Sequence, residues 1–151
     1  MAYMQVKNVL LRAEDLHKFV REFAERRRRQ ASNDLVEGIF KEVSEHEERR
    51  RCILTEFEEQ AESRLLETWL QFPGVEQLEQ AMEDLSDVDG ENEEVILETV
   101  LTANEALVEM YDQAMNQTNA PALSELLGRL KDLQDHHLRT MANSVTEFQQ
   151  S

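Results

Sequence analysis

Apolar residues recur along this chain at steps of three and four, the spacing that lines one face of an α-helix, and they do so in four long blocks. In the first, Val6, Val9, Leu10, Leu16, Val20, Phe23 and Ala24 share a face, which predicts a helix from Val6 to Arg29. Gln30-Ala31-Ser32-Asn33 interrupts it; Ser32 or Asn33 can cap the next helix, and Asp34 suits its first turn. The second block runs through Leu35, Val36, Ile39, Phe40, Val43, Ile53, Leu54, Phe57 and Ala61. No breaker follows before Phe72-Pro73-Gly74, so the pattern carries this helix to about Leu70, roughly 57 Å at 1.5 Å per residue. A helix of that length is expected to bend or project in its last turns.

Leu78, Met82 and Leu85 predict a short helix over Val75 to Leu85, followed by a polar loop from Ser86 to Asn92. The third block, Ile96, Val100, Ala103, Leu107, Met110 and Ala114, predicts a helix from Glu93 to Gln117. After a tight turn at Thr118-Asn119-Ala120-Pro121, the fourth helix runs from Pro121 to Phe148 on a face of Leu123, Leu126, Leu127, Leu130, Leu133, His137, Met141 and Val145. Two hairpins joined by a long connection give an all-α fold. The expected architecture is one domain over 1–151, an up-down four-helix bundle with a short extra helix in the crossover between the second and third helices.

Composition narrows the possible roles. Only four Gly and two Pro occur in 151 residues, in keeping with an almost wholly helical domain. The acidic excess is lopsided. Through Val75, 13 Lys or Arg face 15 Asp or Glu; from Glu76 onward 3 face 17, for a net charge of −16. Such a surface repels nucleic acid and anionic lipid, so neither is expected as a partner. The single Cys52 rules out an intrachain disulfide and a Cys-based zinc site, and its helix position predicts a half-buried thiol. With no charged-then-apolar leader and no apolar run near the ~18 residues of a membrane span, a soluble cytoplasmic protein is expected. Arg26 to Arg29 suit the C-terminus of the first helix, and Arg49 to Arg51 sit among acids for i,i+4 pairing. Asp87-x-Asp89-Gly90 lacks the ligand series of a calcium loop. No Ser/His/Asp or Cys/His nucleophile arrangement and no Gly-rich phosphate loop can be drawn, which argues against an enzyme.

The histidines are the one feature with the look of chemistry. His17, His46, His136 and His137 all fall on helical patterns with carboxylates nearby. The first helix holds Glu14-x-x-His17, the second Ser44-Glu45-His46-Glu47, the third Asn104 with Glu105 beside it, and the fourth Gln134-Asp135-His136-His137. With these polar positions and this helix order, nearly the whole chain resembles the rubrerythrin-like members of the ferritin-like superfamily. That resemblance implies a di-iron site with one Glu on each of two helices and a Glu-x-x-His on each of the other two. The chain departs from the scheme where Ser44, Asn104 and Gln134 stand in place of acids. Each lost carboxylate removes charge that two metal ions need, which argues against a standard di-iron oxidase.

The set of residues that survives as a candidate metal site is His17, Glu47 and His137, with Glu14; no resident cofactor is expected, and iron, manganese or zinc is the choice for such ligands. Without a metal, His17 would pair with Glu14, and an inward Glu47 with an inward Arg50. Trp69, Leu70 and Phe72, with Leu65 and Leu66, offer apolar surface for the crossover helix or for a second subunit in an isologous homodimer. The expected role is non-enzymatic, an interaction or structural bundle whose di-metal site has decayed. The alternative is a metal-binding redox or storage protein with a non-standard His and carboxylate centre.

Overall fold

A computed structural model describes residues 3–71 and 74–151. The protein is all-α, apart from two three-residue strands. In chain order these are β1 (Tyr3–Gln5), α1 (Val6–Arg29), α2 (Asp34–Gln60), α3 (Ser63–Leu66), β2 (Trp69–Gln71), α4 (Val75–Asp87), α5 (Glu93–Asn116) and α6 (Pro121–Gln149). α1 packs along α2 and α5 along α6; α2 also meets α6, while α4 lies against both α1 and α5. The core runs the length of this assembly, from Val6, Leu10 and Leu16 on α1 to Leu107 and Met110 on α5 and Leu123 and Leu127 on α6.

Helix starts are set by side chains at three of the breaks. Asn33 accepts from the Val36 N–H at 2.9 Å and Asn92 from the Val95 N–H at 3.0 Å, each satisfying a donor that the helix itself leaves unpaired. Asp34 and Glu37 begin α2, and Glu93 and Glu94 begin α5, where acids suit the positive end of the helix dipole. Pro121 opens α6, at the position where a missing N–H costs nothing. α1 has no side-chain cap. Its first N–H, on Val6, instead donates to the Thr68 carbonyl at 2.9 Å, extending the antiparallel pairing of Tyr3 with Gln71 and Gln5 with Trp69.

The second helix is shorter than its pattern predicts. It stops at Gln60, about ten residues before Leu70, and Ala61 turns to an extended conformation. The residues beyond Gln60 include good helix formers, so the break is tertiary in origin. α1 and α2 span about 36 and 40 Å at 1.5 Å per residue, and a straight continuation of α2 would run past the start of its neighbour. Turning back instead buries Leu70 fully and Leu65 and Leu66 partly against the core, and creates β2. The expected terminator at Phe72-Pro73 lies outside the described residues. Three smaller expectations also change. Leu35 is about half exposed rather than on the buried face, Cys52 is exposed rather than half-buried, and Arg51 pairs with Glu48 three residues back rather than four, at 2.7 Å.

A buried imidazole, carboxylate and amide cluster

Six polar side chains are buried among the described residues: His17, Ser44, Glu47, Asn104, Gln134 and His137. Each interrupts an apolar stripe. His17 lies between Ala13 and Val20 on α1, Glu47 between Val43 and Leu54 on α2, and Asn104 between Val100 and Leu107 on α5. Gln134 and His137 fall between Leu130 and Met141 on α6. The stripes that build the core therefore also bring these groups, all but Ser44, together in it.

Glu47 is the centre of the cluster. Its Oε2 lies 2.5 Å from His17 Nδ1, and its Oε1 accepts from Asn104 Nδ2 at 2.9 Å. Asn104 is oriented in turn by Gln134, whose Nε2 donates to Asn104 Oδ1 at 2.8 Å, while Asn104 Nδ2 also donates to the Val100 carbonyl. Because Oδ1 is occupied by Gln134, the Asn104 amide must present its N–H group to the carboxylate. His137 Nε2 stands 3.6 Å from Glu47 Oε1, an ion-pair distance and too long for a hydrogen bond; neither ring nitrogen of His137 has a hydrogen-bond partner among the described residues. The His17 and His46 rings flank it at centroid distances of 6.2 and 5.5 Å. Ser44 points elsewhere and donates to Glu25 at 2.9 Å.

Burial alone would raise the pKa of Glu47, but the charge and hydrogen bond of His17, together with the nearby His137 imidazole, outweigh it and hold the carboxyl at about 2. His137 moves down, chiefly by burial, with Glu47 partly opposing. The carboxylate is thus ionised, and His137 is neutral near neutral pH. A small cavity beside the cluster is lined by His17, Arg50, Tyr111 and Gln134 among others.

Of the candidate residues, His17, Glu47 and His137 come together, from three different helices. Glu14 does not join them: it accepts from Thr55 Oγ1 at 3.0 Å and acts electrostatically on Glu58, whose carboxyl is raised to about 7, first by burial and then by Glu14. The partner of His17 is consequently Glu47 rather than Glu14. Glu47 is bonded to His17 and Asn104, while Arg50 is half-buried, with a buried Nη1 lacking any partner. His136 is exposed. The amides were visible in the sequence as departures from a metal pattern; their mutual hydrogen bonds had no signal there beyond inward polar positions on both helices.

These residues do not fit a di-metal centre. One carboxylate supplies too little charge for two cations, and the Asn104 amide presents donors where a metal needs acceptors. The 2.5 Å between His17 and Glu47 is a direct hydrogen bond. Two ligands on one ion with bonds of about 2.0–2.1 Å sit roughly 3.3 Å apart. Among the described residues, no three His, Cys, Asp or Glu side chains are arranged to hold a metal ion, and no helix is long and apolar enough to cross a membrane. Comparison of the chain with protein-family models, with curated proteins and with solved structures finds no match.

Proposed function

We propose that this protein is a ferritin-like up-down bundle in a non-enzymatic, interaction or structural role, its di-metal ligand positions refilled by a hydrogen-bonded polar cluster. One observation supports this reading above others. The buried polar residues fall one on α1, an i,i+3 pair on α2, one on α5 and an i,i+3 pair on α6. That is the distribution of a carboxylate di-metal site: His17 and Asn104 take the single positions, Ser44 with Glu47 and Gln134 with His137 take the paired ones. Only His137 keeps the expected residue type, and a single acid remains. The refilled centre fixes how the four helices meet, and the role is exercised at the surface. Exposed Tyr3 and Trp69, both on the outward face of the small sheet, are where a second copy or another protein meets it.

Elemental analysis of protein produced with iron and manganese in the medium tests the metal-free half of the proposal. The expected content is far below one metal per chain. Stoichiometric metal that disappears in His137→Ala overturns it. Sedimentation at high concentration tests self-association, and a monomer throughout counts against the homodimer.

A second reading, a metal-binding redox or storage protein with a non-standard centre, is favoured by one specific feature. Among the described residues, both ring nitrogens of His137 are buried without hydrogen-bond partners, and Nε2 stands 3.6 Å from a carboxylate oxygen. The same elemental analysis separates the two.

A further inference from the structure

The groups that converge on the bundle centre are nearly all of one polarity. Among the described residues, Glu47 is its only fully buried acid. Around it stand His17, bonded to Oε2, Asn104, bonded to Oε1, and His137 at 3.6 Å. Arg50 on the next turn of α2 lies within the electrostatic reach of Glu47, whose charge favours its protonated form, and lines the adjoining cavity with His17, Tyr111 and Gln134. Its buried Nη1 has no partner. Gln134 forces the polarity of the amide: by occupying Asn104 Oδ1 at 2.8 Å, it leaves only the N–H group to face the carboxylate. A cation site needs the opposite arrangement, with several inward acceptors and carboxylates.

We infer that the bundle centre is an anion-binding site whose resident anion is the Glu47 carboxylate, and that without this side chain it takes a small monocarboxylate and no divalent cation. The inference rests on the reading of the cluster as a refilled ligand set. It adds what that reading leaves open, the sign and chemical class of the group the centre holds. Formate carries the same carboxylate as the Glu47 side chain and is small enough for the space left by truncation. The converging donors, fixed by three other helices, remain in place to receive it.

The test is thermal unfolding of the full chain and of Glu47→Ala in sodium formate, in sodium chloride of equal ionic strength, and in manganese(II) chloride. Glu47→Ala is expected to gain about 3 °C or more in Tm from formate over chloride, and the parent chain none. Manganese is expected to raise neither. A Glu47→Ala protein indifferent to formate, or stabilised more by manganese, overturns the inference. If Glu47→Ala is unfolded in every buffer, Glu47→Gln decides: it keeps the volume and removes the charge, so a Tm equal to the parent's overturns the inference and a lower one supports it. Metal bound stoichiometrically by the parent chain would overturn both this inference and the proposed function. Indifference to formate in a metal-free protein overturns this inference alone.

Discussion

His17 and Glu47 meet across the α1–α2 interface at 2.5 Å, with 1% and 0% of their side chains exposed. No water competes for this contact, so each group depends on the other. Removing one partner leaves the other's polar atoms stranded in a low-dielectric core. His17→Leu and Glu47→Ala should each lower stability by about 3–5 kcal/mol, measured by urea unfolding. Replacing both at once with apolar residues that fill the same volume should cost less than either single change. A double variant as unstable as the sum of the two would show that the pair is not the source of the effect.

The amides should show similar coupling. Asn104→Leu removes the donor to Glu47 and strands Gln134; each buried group left unmade costs about 1–3 kcal/mol. Gln134→Leu loses the group that orients Asn104. A double-mutant cycle should return a coupling energy of about 0.5–3 kcal/mol, and additivity within a few tenths would sever the proposed link between them.

Acid should unfold this protein in two stages. His137 has a lowered pKa when folded, so the unfolded chain binds its proton more tightly, and stability falls as pH drops below 6.5. Glu47 is held at about 2 against an ordinary 4.5, so its contribution is complete above 4.5 and is lost between 4.5 and about 2. His137→Phe should remove the first stage and leave the second. A stability profile flat from pH 7 to pH 3 in the parent chain would contradict both assignments.

Glu58 should act in the opposite sense. Its folded pKa is raised to about 7, so the folded state binds the proton more tightly and stability declines as pH rises from 4.5 to 7. Glu58→Gln should therefore gain on the parent chain at pH 8 and lose that advantage at pH 4. The group is only partly buried, which keeps the effect small. Equal curves at both pH values would contradict the raised carboxyl of Glu58.

Leu70 is 3% exposed and anchors β2 to the core. Leu70→Ala should cost about 2–5 kcal/mol and should also speed hydrogen exchange at the Val6 amide, which donates to Thr68 two residues earlier in the strand's approach. Trp69→Ser beside it, 62% exposed, should change stability by no more than about 0.5 kcal/mol. Unfolding followed by denaturant, together with exchange measured by NMR, checks both.

Much of this was legible in the sequence where breakers and caps are local. Asn33, Asn92 and Pro121 mark the starts of α2, α5 and α6, and the periodic stripes gave α1 its bounds and placed His17, Glu47 and His137 inward. The end of α2 was not legible, because Gln60 to Leu66 contains no local stop and the turn depends on where α1 begins. Nor were β1 and β2, since three residues are too few to show an alternation. For the cluster, the facing direction of each side chain follows from helical spacing, but pairing follows from how one helix is rotated against another. Glu14 sits at the attractive i,i+3 spacing from His17, yet the partner that reaches the ring comes from α2. The exposed Cys52 and Leu35 show the same limit at the edges of the apolar stripe.

The two short strands also bear on the order in which the molecule is made. Tyr3 pairs with Gln71, and Val6 with Thr68, so the opening turn of α1 is completed by a segment more than sixty residues downstream. On a ribosome adding roughly 5–20 residues per second, α1 leaves the exit before β2 and waits several seconds for the strand that finishes it. During that interval, its buried face has only the nascent α2 to lie against. The opening turn of α1 is thus made well before it is fastened, and the stretch from Trp69 to Gln71 acts as the clasp that closes the first hairpin into a unit ready to receive α5 and α6.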